Sequence, residues 1–192
     1  TSHDGSGSIT AAFTPIRIVC QNTLGAALHN SSNTIKIRHT ASAEDRLKEA
    51  HKVMGISNKM ADELDGIFNQ WTKVRITDKD VMKLIRQAMA PGKEVLKTLK
   101  TGGELSTVFK NICDNAFMYA MASPTQQTET TKGTLFGAFN AVTGYFQNVK
   151  EYKDDEAKVK SILGGTGQSR TQTAFDLCLA YAKNGADSLN FN

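Results

Sequence analysis

The chain has few cysteines, and none of them is spaced to build a metal or redox centre. Cys20, Cys113 and Cys178 are widely separated, and each lies among apolar neighbours. No CxxC motif occurs, which excludes a zinc ribbon and a redox dithiol pair. We therefore expect free, buried thiols in a reducing compartment, and we predict neither a metal site nor a cofactor.

Long apolar runs are also missing. No stretch approaches the roughly 20 apolar residues that a membrane-spanning helix needs, and no secretory signal is visible. These absences predict a cytoplasmic protein without a membrane partner.

The common catalytic motifs are absent as well. None of the four histidines lies in an HExxH motif, and no serine lies in a GxSxG turn. Residues 164–171 resemble a phosphate-binding loop, but they lack the lysine of a P-loop and follow no apolar strand, which excludes P-loop nucleotide hydrolysis by this segment. Their backbone amides, with Arg170 entering a helix, can still hold a phosphate. A flexible connector is the alternative interpretation of this segment.

What remains is the composition of a folded, mildly basic domain. The 40% of apolar residues suits a globular core, and the 22% of charged residues argues against disorder. A length of 192 residues fits one domain, with or without a helical extension. The net charge of +4 permits a polyanionic partner without requiring one.

The N-terminal part of the chain carries a strand pattern. Residues 9–14, 16–20 and 34–39 are rich in apolar and β-branched side chains, and Pro15 marks a break between the first two segments. We therefore predict an α+β fold, with a small antiparallel N-terminal sheet followed by a predominantly helical region that contains a long helix.

The rest of the chain carries a helical pattern. Apolar residues recur at spacings of three and four over residues 43–73, where Gly55 is the point most easily interrupted. Further helices are predicted over about 77–90, 104–121, 134–149 and 173–183, with a glycine-rich connector over 163–169. Gly137, Ala141 and Gly144 form a strip of small residues that permits close helix packing.

These patterns predict two parts. Residues 1–40 are expected to be the C-terminal part of a sheet-containing domain, and residues 41–192 a helical region packed on it. The threonine-rich stretch 123–133 has no apolar anchors and is expected to be a mobile loop.

Basic residues alternate with isoleucines in the predicted strands. Since strand side chains point to opposite faces in turn, Arg17, Lys36 and Arg38 are expected on one face of the sheet. Such a face can hold a phosphate backbone, and a solvated or carboxylate-paired face is the alternative. Exposed aromatic residues, which usually stack the bases of single strands, are not interleaved with these charges.

The N-terminal cluster Ser2-His3-Asp4-Gly5-Ser6 suggests acid–base or metal chemistry, in which His39 can take part. The signal is weak, because further His and Asp ligands at set spacings are missing. Cys20 with His39 as nucleophile and base is disfavoured, because Cys20 ends an apolar run. A turn that orders the strand edge is the favoured interpretation.

Two separated motifs carry a resemblance to a known family. The first comprises residues 2–6, 13–24 and 37–40, and the second comprises residues 137–143 with Tyr145 two places on. Together they resemble the signature of the phage/plasmid-like family called domain of unknown function 932.

The chain departs from the family pattern around the second motif. That pattern continues after the tyrosine into an acidic residue and a histidine, where this chain has Gln147 and Asn148. Gly144 stands where an acid is common, and Phe136 where tryptophan is common. The departure favours a structural role for the predicted helix 134–149.

The resemblance implies a mobile-element protein in the cytoplasm of a bacterial host, without an agreed activity. Thr1 falls inside the first motif, so we expect it to be an internal residue of a longer protein. Such elements need proteins that bind, protect, anneal or replicate DNA. We therefore expect a non-catalytic nucleic-acid-binding protein, with single-stranded DNA the favoured partner and Arg17, Lys36, Arg38 and Arg170 as the binding residues.

Two alternatives stay open. One is a nucleic-acid or nucleotide hydrolase that uses His3, Asp4 and His39, although the balance is against an enzyme. The other is an assembly protein that does not bind DNA and whose helix 43–73 pairs with a second copy or with a partner.

Overall fold

A computed structural model of the chain describes residues 8–13, 32–38 and 43–190. The chain divides into two compact units, Thr1–Gly66 and Ile67–Asn192. The long helix begins at Ala43, runs through residue 66 and ends at Trp71. The predicted domain boundary at residue 40 stays a prediction.

The N-terminal unit contains two strands and most of the long helix. Strand β1 (Ser8–Phe13) pairs antiparallel with strand β2 (Ser32–Arg38), with Ile9 opposite Ile37. Helix α1 (Ala43–Trp71) follows and is continuous through Gly55, which confirms the predicted long helix.

The C-terminal unit is described through residue 190 and begins with the last turn of α1. Six further helices follow: α2 (Asp78–Met89), α3 (Lys93–Thr101), α4 (Thr107–Ala122), α5 (Leu135–Gly144), α6 (Asp155–Gly164) and α7 (Thr166–Asn184). Short 3₁₀ turns lie at Pro124–Gln126 and Gly185–Leu189, and α5 continues directly into a wider π turn at Tyr145–Val149.

Side-chain caps fix where four of these helices begin. The side chains of Thr77, Ser106, Thr134 and Asp154 each accept a hydrogen bond from a backbone amide in the first turn of α2, α4, α5 and α6. These contacts satisfy donors that a helix start otherwise leaves without a partner. Pro91 follows the end of α2, and Gly102 ends α3 in the left-handed conformation, with φ 70°.

An aromatic cluster anchors the core of this unit. The ring centroids of Phe68, Trp71, Phe139 and Phe175 lie 5.1–6.2 Å apart, within the range of favourable aromatic pairs. Trp71 is 0% exposed, and its indole Nε1 has no hydrogen-bond partner among the described residues. The cluster joins the last turn of α1 to α5 and α7.

The predicted α+β class is wrong for this molecule. Within residues 67–190 the core is built by helices, and the regular pairing there is limited to a single bridge between Arg75 and Thr134. The strands β1 and β2 pair with each other alone in the described chain, and a pair of strands is too small to form a sheet layer with its own core. The predicted strand 16–20 lies outside the described residues. The described chain is therefore predominantly helical.

The sequence pattern also missed parts of the helical unit. Helices α3 and α6 were not predicted, since each is short and bears many charges. Helix α7 begins at Thr166, whereas the pattern placed its start at residue 173. The predicted connector is reduced to a break at Gly165, because the residues after it continue as helix.

Two glycines of α5 permit the close packing that the small-residue strip predicts. A side chain at Gly137 would collide with the backbone carbonyl of Thr131, and one at Gly144 would collide with the ring of Tyr119. The Thr131 carbonyl cannot move freely, because it accepts hydrogen bonds from the backbone amide and the hydroxyl of Thr134, at 3.2 and 3.0 Å.

We predict that Gly137→Ala destabilises the protein by about 1–3 kcal/mol, the usual cost of overpacking a core. The matched control is Gly164→Ala, because no atom lies within 4 Å of the added methyl group there and α6 is helical at that position. It should leave the stability unchanged or raise it by up to about 1 kcal/mol. Urea denaturation measures both; equal midpoints for the two variants would contradict the packing argument.

The two described cysteines are free and buried, as predicted. Burial raises the pKa of the Cys113 thiol to about 12 and raises the pKa of Cys178 further. Burial also raises the pKa of Tyr145 and Tyr181. Cys20 lies outside the described residues.

These shifts predict a loss of stability at alkaline pH. In the unfolded chain a cysteine thiol ionises near pH 8.5–9, whereas folded Cys113 holds its proton to about pH 12. The contribution of this protonated thiol to the free energy of unfolding is complete below pH 9. It is lost between about pH 9 and 12, at about 1.4 kcal/mol per pH unit. Melting temperatures between pH 7.5 and 10.5 should fall less steeply for Cys113→Ala than for the parent. Parallel curves would contradict the assignment.

Candidate nucleic-acid interface

Some of the candidate site residues from the sequence lie within the described part of the chain, and others lie outside it. His3, Asp4, Arg17 and His39 lie outside the described residues, so the proposed hydrolytic cluster and part of the basic strand face stay predictions. Within β2, Lys36 lies opposite Thr10 and Arg38 lies opposite Ser8 in the backbone register. The basic face of these strands also stays a prediction.

Arg170 lies in the second turn of α7 and lines a cleft of about 290 Å³, which we call the Arg170 cleft. Four elements meet there: the end of α2, the first turns of α4, the π turn after α5, and the first turns of α7. The lining residues are Met89, Pro91, Ser106, Val108, Phe109, Ile112, Tyr145, Phe146, Lys150, Thr166 and Arg170.

The floor of the Arg170 cleft is apolar and partly aromatic. Phe109, Tyr145 and Phe146 are each less than 10% exposed, so most of each side chain is packed in the core and a small part lines the cleft. Val108 at the rim is 70% exposed and adds apolar surface beside the cleft. The cleft therefore offers an apolar surface to a bound group.

The π turn positions a lysine at this floor. The backbone amide of Lys150 closes the turn by donating to the carbonyl of Tyr145 at 2.8 Å. Its ammonium nitrogen lies 5.6 Å from the ring centroid of Phe146 and 5.1 Å from that of Tyr152. These are cation–π distances, so the two rings hold the charge in place.

The cleft carries positive charge without a compensating carboxylate. The described residues that line it include Lys150 and Arg170 and no aspartate or glutamate. In the described part of the chain neither cation forms an ion pair. Both side chains are half-buried, and charges that are partly withdrawn from water usually have an anionic partner. The site is therefore suited to an anion.

Two helix starts add to this charge. Ser106 caps α4, and Thr166 is the first residue of α7, so the positive ends of both helix dipoles meet the cleft. At the start of α7 the amide of Gly167 donates to the Ser161 hydroxyl at 3.2 Å, which takes this donor away from a ligand. The resemblance of this segment to a phosphate-binding loop therefore reduces to the start of a helix followed by Arg170.

A larger cavity of about 520 Å³ lies beside the threonine-rich segment and has balanced charges. Arg75 and Lys132 line it together with Asp78 and Glu129. Arg75 already donates to the carbonyl of Lys132 at 3.1 Å. The balance of charge makes this cavity a weaker candidate for an anionic ligand than the Arg170 cleft.

The threonines of that segment bond to one another. The Thr128 hydroxyl lies 2.8 Å from the Thr131 hydroxyl and 3.1 Å from that of Thr130. The Gln127 side chain donates to the carbonyls of Ala120 and Met121, at 3.2 and 2.8 Å, at the end of α4. The expected mobility of the segment stays a prediction.

Sequence reasoning identified Arg170 but missed Lys150 and the aromatic floor. A signal was present in the sequence, since Lys150 follows Tyr145 and Phe146 and precedes Tyr152. Basic and aromatic residues interleave here, which is the pattern that the strands lack.

Two further findings on the described residues concern metal ligands and membrane-spanning helices. Among them, no group of three or more His, Cys, Asp or Glu side chains is placed to hold a metal ion. None of the described helices has both the length and the apolar character to cross a bilayer.

In its described residues the protein is predominantly helical, with a small cleft lined by basic and aromatic residues. The chain belongs to the family described as domain of unknown function (DUF932), whose family model matches residues 1–163. This confirms the family that the two sequence motifs indicate. No curated protein and no solved structure matches the chain.

Proposed function

We propose that the protein is a non-catalytic nucleic-acid-binding protein that holds single-stranded DNA and seats one nucleotide in the Arg170 cleft. The observation that carries the proposal is the pair of half-buried cations, Lys150 and Arg170, above an apolar floor that is lined by no carboxylate. A nucleotide has the matching chemistry, because it joins an anionic phosphate to a flat and largely apolar base.

The size of the cleft favours a single strand. Its volume of about 290 Å³ is near the lower end of the usual range for small-molecule pockets, about 300–1,000 Å³, which suits one nucleotide. In a duplex the bases are stacked and paired, so their faces are not available to an apolar floor. In a single strand a base can turn out of the stack and enter the cleft.

The predicted strand residues form the second part of the proposal. Arg17, Lys36 and Arg38 are proposed to contact the phosphate backbone, as the alternation of basic and apolar residues indicates. The resemblance to a phage/plasmid-like family supports a proposed role in the DNA metabolism of a phage or plasmid, in the cytoplasm of a bacterial host. Self-association through the long helix suits such a role.

The alternatives rest on other residues and give other results. A hydrolase that uses His3, Asp4 and His39 predicts turnover of a nucleic acid or nucleotide that is lost in His3→Ala. An assembly protein predicts a defined oligomer in light scattering, without salt-sensitive affinity for DNA.

The proposal predicts a salt-dependent affinity that the cleft controls. In fluorescence anisotropy the protein should bind a single-stranded oligonucleotide with higher affinity than the corresponding duplex. For single strands each phosphate contact contributes about 0.7 to the slope of log affinity against log salt. Lys150→Ala with Arg170→Ala should therefore lower the slope by about 1.4 if each contacts one phosphate, and should weaken binding at least tenfold.

The matched control removes two exposed lysines outside the cleft, Lys160 and Lys183. This double variant has the same net charge as the cleft variant, so it separates a local contact from a general loss of charge. Equal weakening in the two variants would overturn the cleft assignment. A third variant, Arg17→Ala/Lys36→Ala/Arg38→Ala, measures the strand contribution independently.

A second prediction concerns the base. A fully abasic oligonucleotide keeps every phosphate but has no base to fill the apolar floor. We expect a fully abasic oligonucleotide to bind the parent protein at least tenfold more weakly with an unchanged salt slope. The Lys150→Ala/Arg170→Ala variant should discriminate less between the two ligands. Equal affinity of the parent for both would show that the base is not bound.

A further inference from the structure

A second arginine, Arg86, is half-buried without an anionic partner. It lies on α2 and lines a separate cleft of about 370 Å³, which we call the Arg86 cleft. The other described residues that line it are Lys83, Gln87, Leu99, Lys100, Leu189 and Asn190, and none of these described residues is a carboxylate.

The walls of this cleft are fixed by contacts to the C-terminal 3₁₀ turn. The Gln87 side chain donates to the carbonyl of Leu189 at 2.8 Å, and Leu189 itself is 1% exposed. The Lys83 ammonium donates to the side-chain oxygen of Asn190 at 3.2 Å. The cleft is therefore a built feature and not a chance grouping of mobile lysines.

The charges within the cleft are unequal. Lys83 has a counter-ion, because its ammonium lies 3.7 Å from a carboxylate oxygen of Asp80. Arg86 forms neither an ion pair nor a hydrogen bond with another residue that the structure describes. A guanidinium has five N–H donors in a planar fork that matches the oxygens of a phosphate.

A thiol and a carboxylate of α4 lie near Arg86 without pairing with it. Burial raises the pKa of the Cys113 thiol to about 12, the charge of Arg86 lowers it, and the carboxylate of Asp114 raises it. Among the described residues Asp114 and Arg86 form no ion pair. The thiol is therefore neutral at physiological pH. The positive charge of Arg86 remains available to a ligand.

The Arg86 cleft lies close to the Arg170 cleft along α2. Arg86 and Met89 are three residues apart, about 4.5 Å along the helix axis, and Met89 lines the Arg170 cleft. On α4, Cys113 adjoins Ile112, which also lines the Arg170 cleft. The two clefts are therefore lined by residues of α2 that lie about one helical turn apart.

We infer that the Arg86 cleft is a second phosphate-binding site, which holds a backbone phosphate of the strand whose nucleotide occupies the Arg170 cleft. This inference rests on the proposed function and adds a defined second contact to it. Arg86 binds the phosphate through its planar donors.

The test uses the full chain and fluorescently labelled single-stranded oligonucleotides over a salt series. Arg86→Gln removes the charge while keeping a polar side chain. It should weaken binding about tenfold and lower the salt slope by about 0.7. Arg86→Lys should keep most of the slope, because it keeps the charge. The matched control is Lys79→Gln, an exposed cation of α2 outside the cleft, which should change neither quantity by as much.

A melting experiment on each variant separates folding from binding. If Arg86→Gln lowers the melting temperature, Arg86→Met replaces it, because methionine keeps an apolar stem in the half-buried position and removes the charge. An unchanged slope and affinity in the folded variants would overturn the inference.

Three outcomes distinguish this inference from the proposed function and from a site for free phosphate. If the Arg170 cleft variant loses binding and Arg86→Gln does not, the second site is wrong and the proposed function stands. If Arg86→Gln alone weakens binding, the phosphate site stands and the nucleotide cleft is wrong. If inorganic phosphate raises the melting temperature only when Arg86 is present, and oligonucleotide binding does not depend on Arg86, the cleft binds free phosphate and the strand assignment is overturned.

Discussion

The close contact of α5 with its surroundings is the constraint on which the C-terminal unit depends. Gly137 packs against the Thr131 carbonyl, and Gly144 packs against the Tyr119 ring. Only a helix without side chains at these two positions can lie so deep in the core. Because α5 continues directly into the π turn, its position also sets that of Lys150. The same packing that holds the core together therefore shapes one wall of the Arg170 cleft.

Much of the helical unit could be predicted from the sequence, whereas the fold class could not. The long helix and α2 have regular apolar spacing, and Thr77 and Pro91 mark the ends of α2 clearly. Isoleucines that alternate with basic residues predict strands, and a strand pair does form, but periodicity does not reveal how many strands pair. Helix α7 was placed too late because Gly165 and Gly167 suggest a connector. The Gly167 amide at the start of α7 donates to the hydroxyl of Ser161, which lies on α6. A pattern within α7 cannot predict a contact with another helix.

The candidate sites show the same limit in another form. Arg170 was identifiable because a glycine-rich segment precedes it, which is a local signal. Lys150 had a weaker local signal in its aromatic neighbours, whereas Arg86 has none and becomes notable only when its burial and the absence of an ion pair in the described chain are known. Whether a cation has a counter-ion depends on residues that are distant in sequence. Composition reports the net charge of +4, but it does not show which charges are compensated.

The aromatic cluster has a consequence for how this protein can be observed. Trp71 is the single tryptophan of the chain, it is 0% exposed, and three phenylalanine rings surround it. Its indole is shielded from solvent, so its fluorescence emission is at short wavelength and shifts to the red when the core opens. It lines none of the clefts described above. The protein therefore carries an intrinsic optical reporter of the joint between α1, α5 and α7, and this reporter is separate from the surfaces proposed to bind DNA.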